Sequence, residues 1–140
     1  MAEATSPMGN SQVLLAVNGG LMRDLKANDR MVSIGATYVR DAITAPTYRL
    51  WSVNDSYPAM LRNDDGRGAP IALELWSVTP AALLEIFRGE PPELSLGWIA
   101  LDDGDRVLGV LGEAAVVEKQ REITRWGGWR SYTEEKGLPG

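Results

Sequence analysis

The run VLLAVNGGLM, residues Val13 to Met22, decides how this chain is read. Five apolar residues from Val13 to Val17 read as a buried strand, since a helix would need a longer periodic pattern. Asn18, Gly19 and Gly20 then permit backbone angles that a larger side chain forbids, and they leave N–H groups uncovered. Such a turn has two readings. It builds a small pocket for a carboxylate or carbonyl oxygen, or it is a tight turn with no ligand.

Working outward, Arg23 to Arg30 is polar and reads as a loop or one helical turn. Met31 to Val39 is rich in β-formers and reads as a second strand, with Gly35 marking a bulge or close approach. Thr47 to Val53 alternates as a third strand, with Tyr48, Leu50 and Ser52 on one face and Arg49, Trp51 and Val53 on the other. Ala59 to Arg62 makes a fourth, bounded by Pro58 and the turn Asp64-Asp65-Gly66. Ala69 to Val78 is the clearest strand: Ile71, Leu73 and Leu75 point one way, Ala72, Glu74 and Trp76 the other. Thr79 and Pro80 are N-cap and first-turn residues of a helix running to Phe87 or Arg88, with Leu83, Ile86 and Phe87 inward and Gly89 as its stop. Glu90-Pro91-Pro92-Glu93 must be extended. Leu94 to Leu101 and Arg106 to Glu113 form a hairpin around Asp102-Asp103-Gly104. Glu118 to Trp126 stays ambiguous, and Trp129 to Lys136 reads as a short terminal helix. These elements define an α+β fold, a small mainly antiparallel β-barrel with one or two helices, spanning 13–136. A flexible leader at 1–12 and a loose tail at 137–140 flank it.

The 140 residues suffice for a real core, and the 44% hydrophobic and 24% charged shares are those of an ordinary globular protein. A net charge of −5 with scattered Lys and Arg argues against a nucleic-acid partner. No apolar run is long enough for a membrane helix, so a cytoplasmic location is expected. With zero His and zero Cys, the sequence excludes a thiolate nucleophile, an imidazole base and a disulfide. Zinc loses its preferred ligands too, which leaves carboxylates and carbonyls suited to calcium or magnesium; no metal and no cofactor are expected. Any proton carrier must be Glu or Asp first, then Lys or Tyr. A non-catalytic protein stays open.

The succession VNGGLM, GATYV, TAPTYRLWSV, YPAMLR, IALELWSV, LGVLGE and ITRWGGWRSY resembles the γ-glutamylcyclotransferase-like superfamily. Within it, Leu108 to Glu113 and Ile123 to Tyr132 are most similar to the C-terminal domain of allophanate hydrolase. The resemblance implies a cavity floored by the turn after the first strand. The cyclotransferase turn usually reads Tyr-Gly-Ser-Leu and holds substrate by backbone N–H groups; Asn18, Gly19, Gly20 and Leu21 stand there here, without the hydroxyls. It also implies a general acid/base glutamate just after the helix, and Glu90 occupies that point. A wall of Trp51, Trp76 or Trp98 would raise its pKa. In allophanate hydrolase the same turn carries a histidine implicated in processing the product of its amidase domain; Gly20 stands in that place, and the amidase Ser-Ser-Lys set is absent.

Tyr48 and Arg49 are further substrate-binding candidates, the first through its hydroxyl and the second as a carboxylate clamp. Each also has a plain structural reading, as core and as barrel exterior. Glu74 lines the cavity, occupies an ordinary outward strand position or pairs with Arg49. The five tryptophans plug the core or cover a subunit interface, which leaves a homodimer open. Two functions follow from the resemblance. One is a γ-glutamylcyclotransferase-like enzyme acting on a small γ-glutamyl or related amide; the other is an accessory module binding a small carboxylate or amide in urea or amide metabolism.

Overall fold

Strand β1, Val13–Val17, lies at the centre of a five-stranded sheet. The computed structural model describes residues 11–140, so the leader expected at 1–12 lies almost wholly outside the described residues. The other strands are β2 (Thr37–Ile43), β3 (Tyr48–Val53), β4 (Tyr57–Arg62), β5 (Ala72–Val78), β6 (Leu94–Ala100), β7 (Arg106–Gly112) and the two-residue β8 (Arg121–Glu122). The helices are α1 (Asn28–Ser33), α2 (Pro80–Arg88), α3 (Ala114–Val117) and α4 (Trp129–Lys136), with a 3-10 turn at Thr124–Trp126. In the large sheet the order is β2-β5-β1-β7-β6, with β1 antiparallel to β5 and parallel to β7. A second sheet, β4-β3-β8, packs across it. Where β4 crosses β7 the residues are small: a Cβ on Gly112 would stand 2.8 Å from the Ala59 Cβ.

The two sheets do not close into the expected barrel. The edge strands β2 and β6 converge only at one end, where Thr44 bridges Leu101 and the Ala45 N–H donates to the Ala100 carbonyl at 2.9 Å. The core between the sheets is built from Leu15, Leu50, Met60, Leu73, Leu75 and Ile99, each at most 2% exposed. Burial of such side chains supplies most of the driving force for the fold, roughly 1.5–3 kcal/mol apiece.

Helix α2 forms as its sequence dictates. The Thr79 hydroxyl accepts from the Ala82 N–H at 3.1 Å, and Pro80 opens the first turn. The strand expected over Met31 to Val39 is found only at its end, where Thr37 to Val39 open β2. Residues Asn28–Ser33 are helical instead, with Met31 fully buried. Gly35 stops that helix at φ +78°, with Gly35 N–H on the Val32 carbonyl (3.1 Å) and Ala36 N–H on the Met31 carbonyl (3.0 Å). That is a Schellman closure, for which glycine is the preferred residue. The tail at 137–140 is not loose either: Gly137 repeats the same closure on α4, and the Trp129 indole N–H donates to the Gly140 main-chain oxygen at 3.3 Å.

Candidate functional site

Asn18 is 4% exposed, and its amide nitrogen donates to the Val110 carbonyl at 3.1 Å, which ties the turn after β1 to β7. Neither Gly19 nor Gly20 has a left-handed φ, so the turn does not call on that freedom of glycine. Gly19 is required by contact: a Cβ there would lie 2.8 Å from Pro58 Cδ. The carbonyls of Gly19, Gly20 and Leu21 accept from Met22 N–H, Ala27 N–H and the Asn28 amide. The N–H groups of the same three residues have no acceptor among the described residues. These three residues line a narrow cleft of about 30 Å³ together with Val17, Asn18, Tyr57, Pro58, Glu90, Leu94 and Val110.

Glu90 therefore shares a cleft with Asn18, Gly19, Gly20 and Leu21, brought there by the end of α2. Its carboxylate is 13% exposed and receives Arg30 Nη1 at 2.6 Å, while Arg30 Nη2 donates to the Ile86 carbonyl at 2.6 Å. One guanidinium thus closes the C-terminus of α2 and fixes the acid that follows it. Gly89 makes room for it, since a Cβ there would overlap the guanidinium, with Arg30 Cζ only 2.9 Å away. Gly89 has φ −96° and ψ 0°, which alanine can adopt. Gly89→Ala should accordingly fold, lose the Arg30–Glu90 contact and cost about 1 kcal/mol or less, as a partly exposed ion pair is worth little. Thermal melting checks the cost, and a melting temperature unchanged together with an intact Glu90 pair in a structure of the variant would contradict it.

None of Trp51, Trp76 or Trp98 walls this cleft. Trp51 lies under the Arg49 guanidinium, Trp76 donates to Glu74, and Trp98 is 61% exposed on β6. The aromatic at the cleft is Tyr57, whose hydroxyl pKa is raised by burial and by the neighbouring Glu93 carboxylate. It stays a neutral hydrogen-bond donor at physiological pH.

Tyr48 and Arg49 lie elsewhere. Tyr48 is 1% exposed, and its hydroxyl accepts the Ala100 N–H at 2.9 Å inside the core. Arg49 makes a two-point pair with Glu122 on the second sheet, with Nε to Oε2 at 2.8 Å. Glu74 does not pair with Arg49. It is 3% exposed and is held by Arg23, Arg130 and Trp76 at the floor of a separate cleft of about 450 Å³.

Two carboxylates, Asp55 in the β3–β4 turn and Glu122 on β8, set an acid limit. Hydrogen bonds from Ser52 and Tyr132 hold Asp55 below its ordinary pKa, and the Arg49 hydrogen bond does the same for Glu122. Both folded values lie under those of the unfolded chain, so the unfolded state binds more protons in acid. Their contribution is complete above about pH 5, the upper end of the ordinary carboxylate range, and is lost as pH falls through the lowered folded values. The melting-temperature gap between the natural chain and Asp55→Asn should therefore shrink between neutral pH and pH 3; a gap that widens in acid would contradict the assignment.

Two sheets crossed over a central strand, with a helix after β5, make up a γ-glutamylcyclotransferase-like fold. A gamma-glutamyl cyclotransferase superposes with a TM-score of 0.54 at 10% identity, over 92% of this chain and 82% of that one, a likeness of fold alone. Residues 13–134 match the allophanate hydrolase C-terminal domain, and the chain belongs to that family. A uropathogenic E. coli-specific protein is 45% identical with a TM-score of 0.85, over 89% of this chain and 97% of the other. Allophanate hydrolase of Kluyveromyces lactis is 26% identical with a TM-score of 0.85, over 90% of this chain and 22% of that enzyme. Urea amidolyase of Saccharomyces cerevisiae is 28% identical over 132 residues, 89% of this chain and 7% of its own length. The chain thus spans only a small part of the two large enzymes. Among the described residues no helix is long and apolar enough to cross a membrane.

Proposed function

We propose that the chain processes a small amide or carboxylated urea derivative in the cytoplasm. The Asn18–Leu21 turn holds a carbonyl or carboxylate oxygen, and Glu90 is the general acid/base. The observation that supports this most is the cleft itself. Its lining sets three residues whose main-chain N–H groups have no acceptor among the described residues beside a carboxylate some seventy residues away in sequence, in a protein with no His or Cys. Bare N–H donors suit an oxygen that gains charge as a carbonyl is attacked. Arg30 holds the Glu90 carboxylate in place, and Glu90 is the carboxylate lining the cleft that could carry a proton from an amide or amine nitrogen to the leaving group.

The cleft volume of about 30 Å³ favours a substrate that inserts only a terminal carbonyl or carboxylate, the rest lying against Tyr57 and Pro58. The membership of the allophanate hydrolase C-terminal family supports the urea-derived class ahead of a γ-glutamyl amide. Turnover of a panel containing carboxylated ureas, simple amides and γ-glutamyl amines tests the proposal, with Glu90→Gln alongside. Removing the general acid/base should slow turnover by roughly 10²–10⁴-fold. Equal rates for the two proteins, or no turnover of any compound, would overturn the catalytic reading.

A further inference from the structure

We propose that the second, larger cleft is a ligand site in its own right and takes a small amino acid, whose carboxylate is gripped by Arg23 and Arg130. Its volume of about 450 Å³ falls in the range of metabolite pockets, roughly 300–1,000 Å³. The floor is Glu74, whose two oxygens accept from Arg23 N–H at 2.9 Å, Arg23 Nε at 3.2 Å, Arg130 Nη2 at 3.0 Å and Trp76 Nε1 at 3.1 Å. A buried carboxylate with four donors has little capacity left for a ligand. What it does is fix two guanidinium groups in place before anything binds.

Those guanidinium groups are not used up. Arg23 is further held by Asp41 Oδ1 at 2.9 Å and by the Tyr38 ring, 3.7 Å from its Cζ. Yet Arg23 Nη1, and Arg130 Nε and Nη1, have no acceptor among the described residues, and the two side chains are 44% and 35% exposed. Ser131 lines the same cleft, and no side chain caps the helix that begins beside it at Trp129. The donors on offer suit a carboxylate, which guanidinium binds through parallel hydrogen bonds. Asp24 and Asp41 also line the cleft. They disfavour polyanions and offer partners to an ammonium group, so a zwitterion satisfies both sets of charges where a simple anion satisfies one.

The site stands independently of the Glu90 cleft, and the test separates them. Chemical shifts of the Arg23, Arg130 and Ser131 backbone amides are followed by NMR while L-alanine, propionate or alaninamide is added to the folded chain. The proposal expects saturable shifts with L-alanine, weaker binding of propionate and none of alaninamide. Arg130→Lys keeps a cation for Glu74 but loses the planar fork, and should weaken L-alanine binding about tenfold, the scale of one charge-assisted hydrogen bond. Glu90→Gln should leave it unchanged. Alaninamide binding as tightly as L-alanine, no saturable shift, full affinity in Arg130→Lys, or loss of binding in Glu90→Gln would each overturn the proposal.

Discussion

Glu74→Ala is expected to lower the melting temperature by about 10 °C or more, although the residue lies outside the Glu90 cleft. Arg23 and Arg130 are partly exposed and can turn to solvent when their carboxylate is removed. The Trp76 indole N–H and the Arg23 backbone N–H cannot. Trp76 is 4% exposed and both donors point at Glu74, so each is left unsatisfied at about 1–3 kcal/mol. Adding the vacated volume brings the loss to about 3–5 kcal/mol, at roughly 3 °C per kcal/mol for a chain of this size. Glu74→Gln retains an acceptor and should fall by only about half as much. If alanine and glutamine variants melt alike, near the natural chain, the buried carboxylate is not organising this corner of the fold.

Trp129→Ala should be as damaging through a different cause. Trp129 is 0% exposed, its ring lies 5.8 Å from the Tyr132 ring, and its indole N–H reaches the Gly140 main-chain oxygen. Tyr132 in turn donates to Asp55 Oδ1 at 2.7 Å, which ties α4 to the turn between β3 and β4. Truncating a buried tryptophan costs about 3–5 kcal/mol, so thermal melting should fall by about 10–15 °C. Trp98→Ala is the matched control: at 61% exposure on the edge strand β6 it should move melting by about 2 °C or less. Equal losses at the two positions would mean that α4 is not packed as described.

What the sequence reveals here is what local chemistry controls. Thr79, Pro80 and Gly89 mark both ends of α2, the Asp102-Asp103-Gly104 turn marks the β6–β7 hairpin, and the valine and leucine run marks β1. The reading of Met31 to Val39 as strand holds from Thr37 and fails before it, and one residue decides the difference. Gly35 reads as a bulge or close approach in a strand, whereas its left-handed backbone ends a helix, and the apolar pattern before it fits either state when only six residues are helical. A glycine followed by β-branched residues after a polar, helix-permissive segment was the available signal.

The site divides along the same line. The Asn18–Leu21 turn is legible from its own residues and Glu90 only from a family pattern, and they share a cleft because α2 carries Glu90 back toward β1. Arg30, which holds Glu90, lies sixty residues earlier, and nothing local in RDLKANDR distinguishes it from its neighbours. The Glu74 cluster is equally illegible, since its arginines stand 51 and 56 residues away. Tyr48 and Arg49 look like binding residues by type but are consumed by Ala100 and Glu122. Pairing across such separations depends on sheet order, which residue type and periodicity do not specify.

The most direct test of the account is a titration of the backbone amides of Gly19, Gly20 and Leu21 by NMR with malonamate, a stable carbon analogue of a carboxylated urea. The account predicts saturable shifts at these three amides in the natural chain, and a changed response at the same three in Glu90→Gln. Amides that stay still at saturation, or shifts confined to the Arg23 and Arg130 cleft, would contradict it.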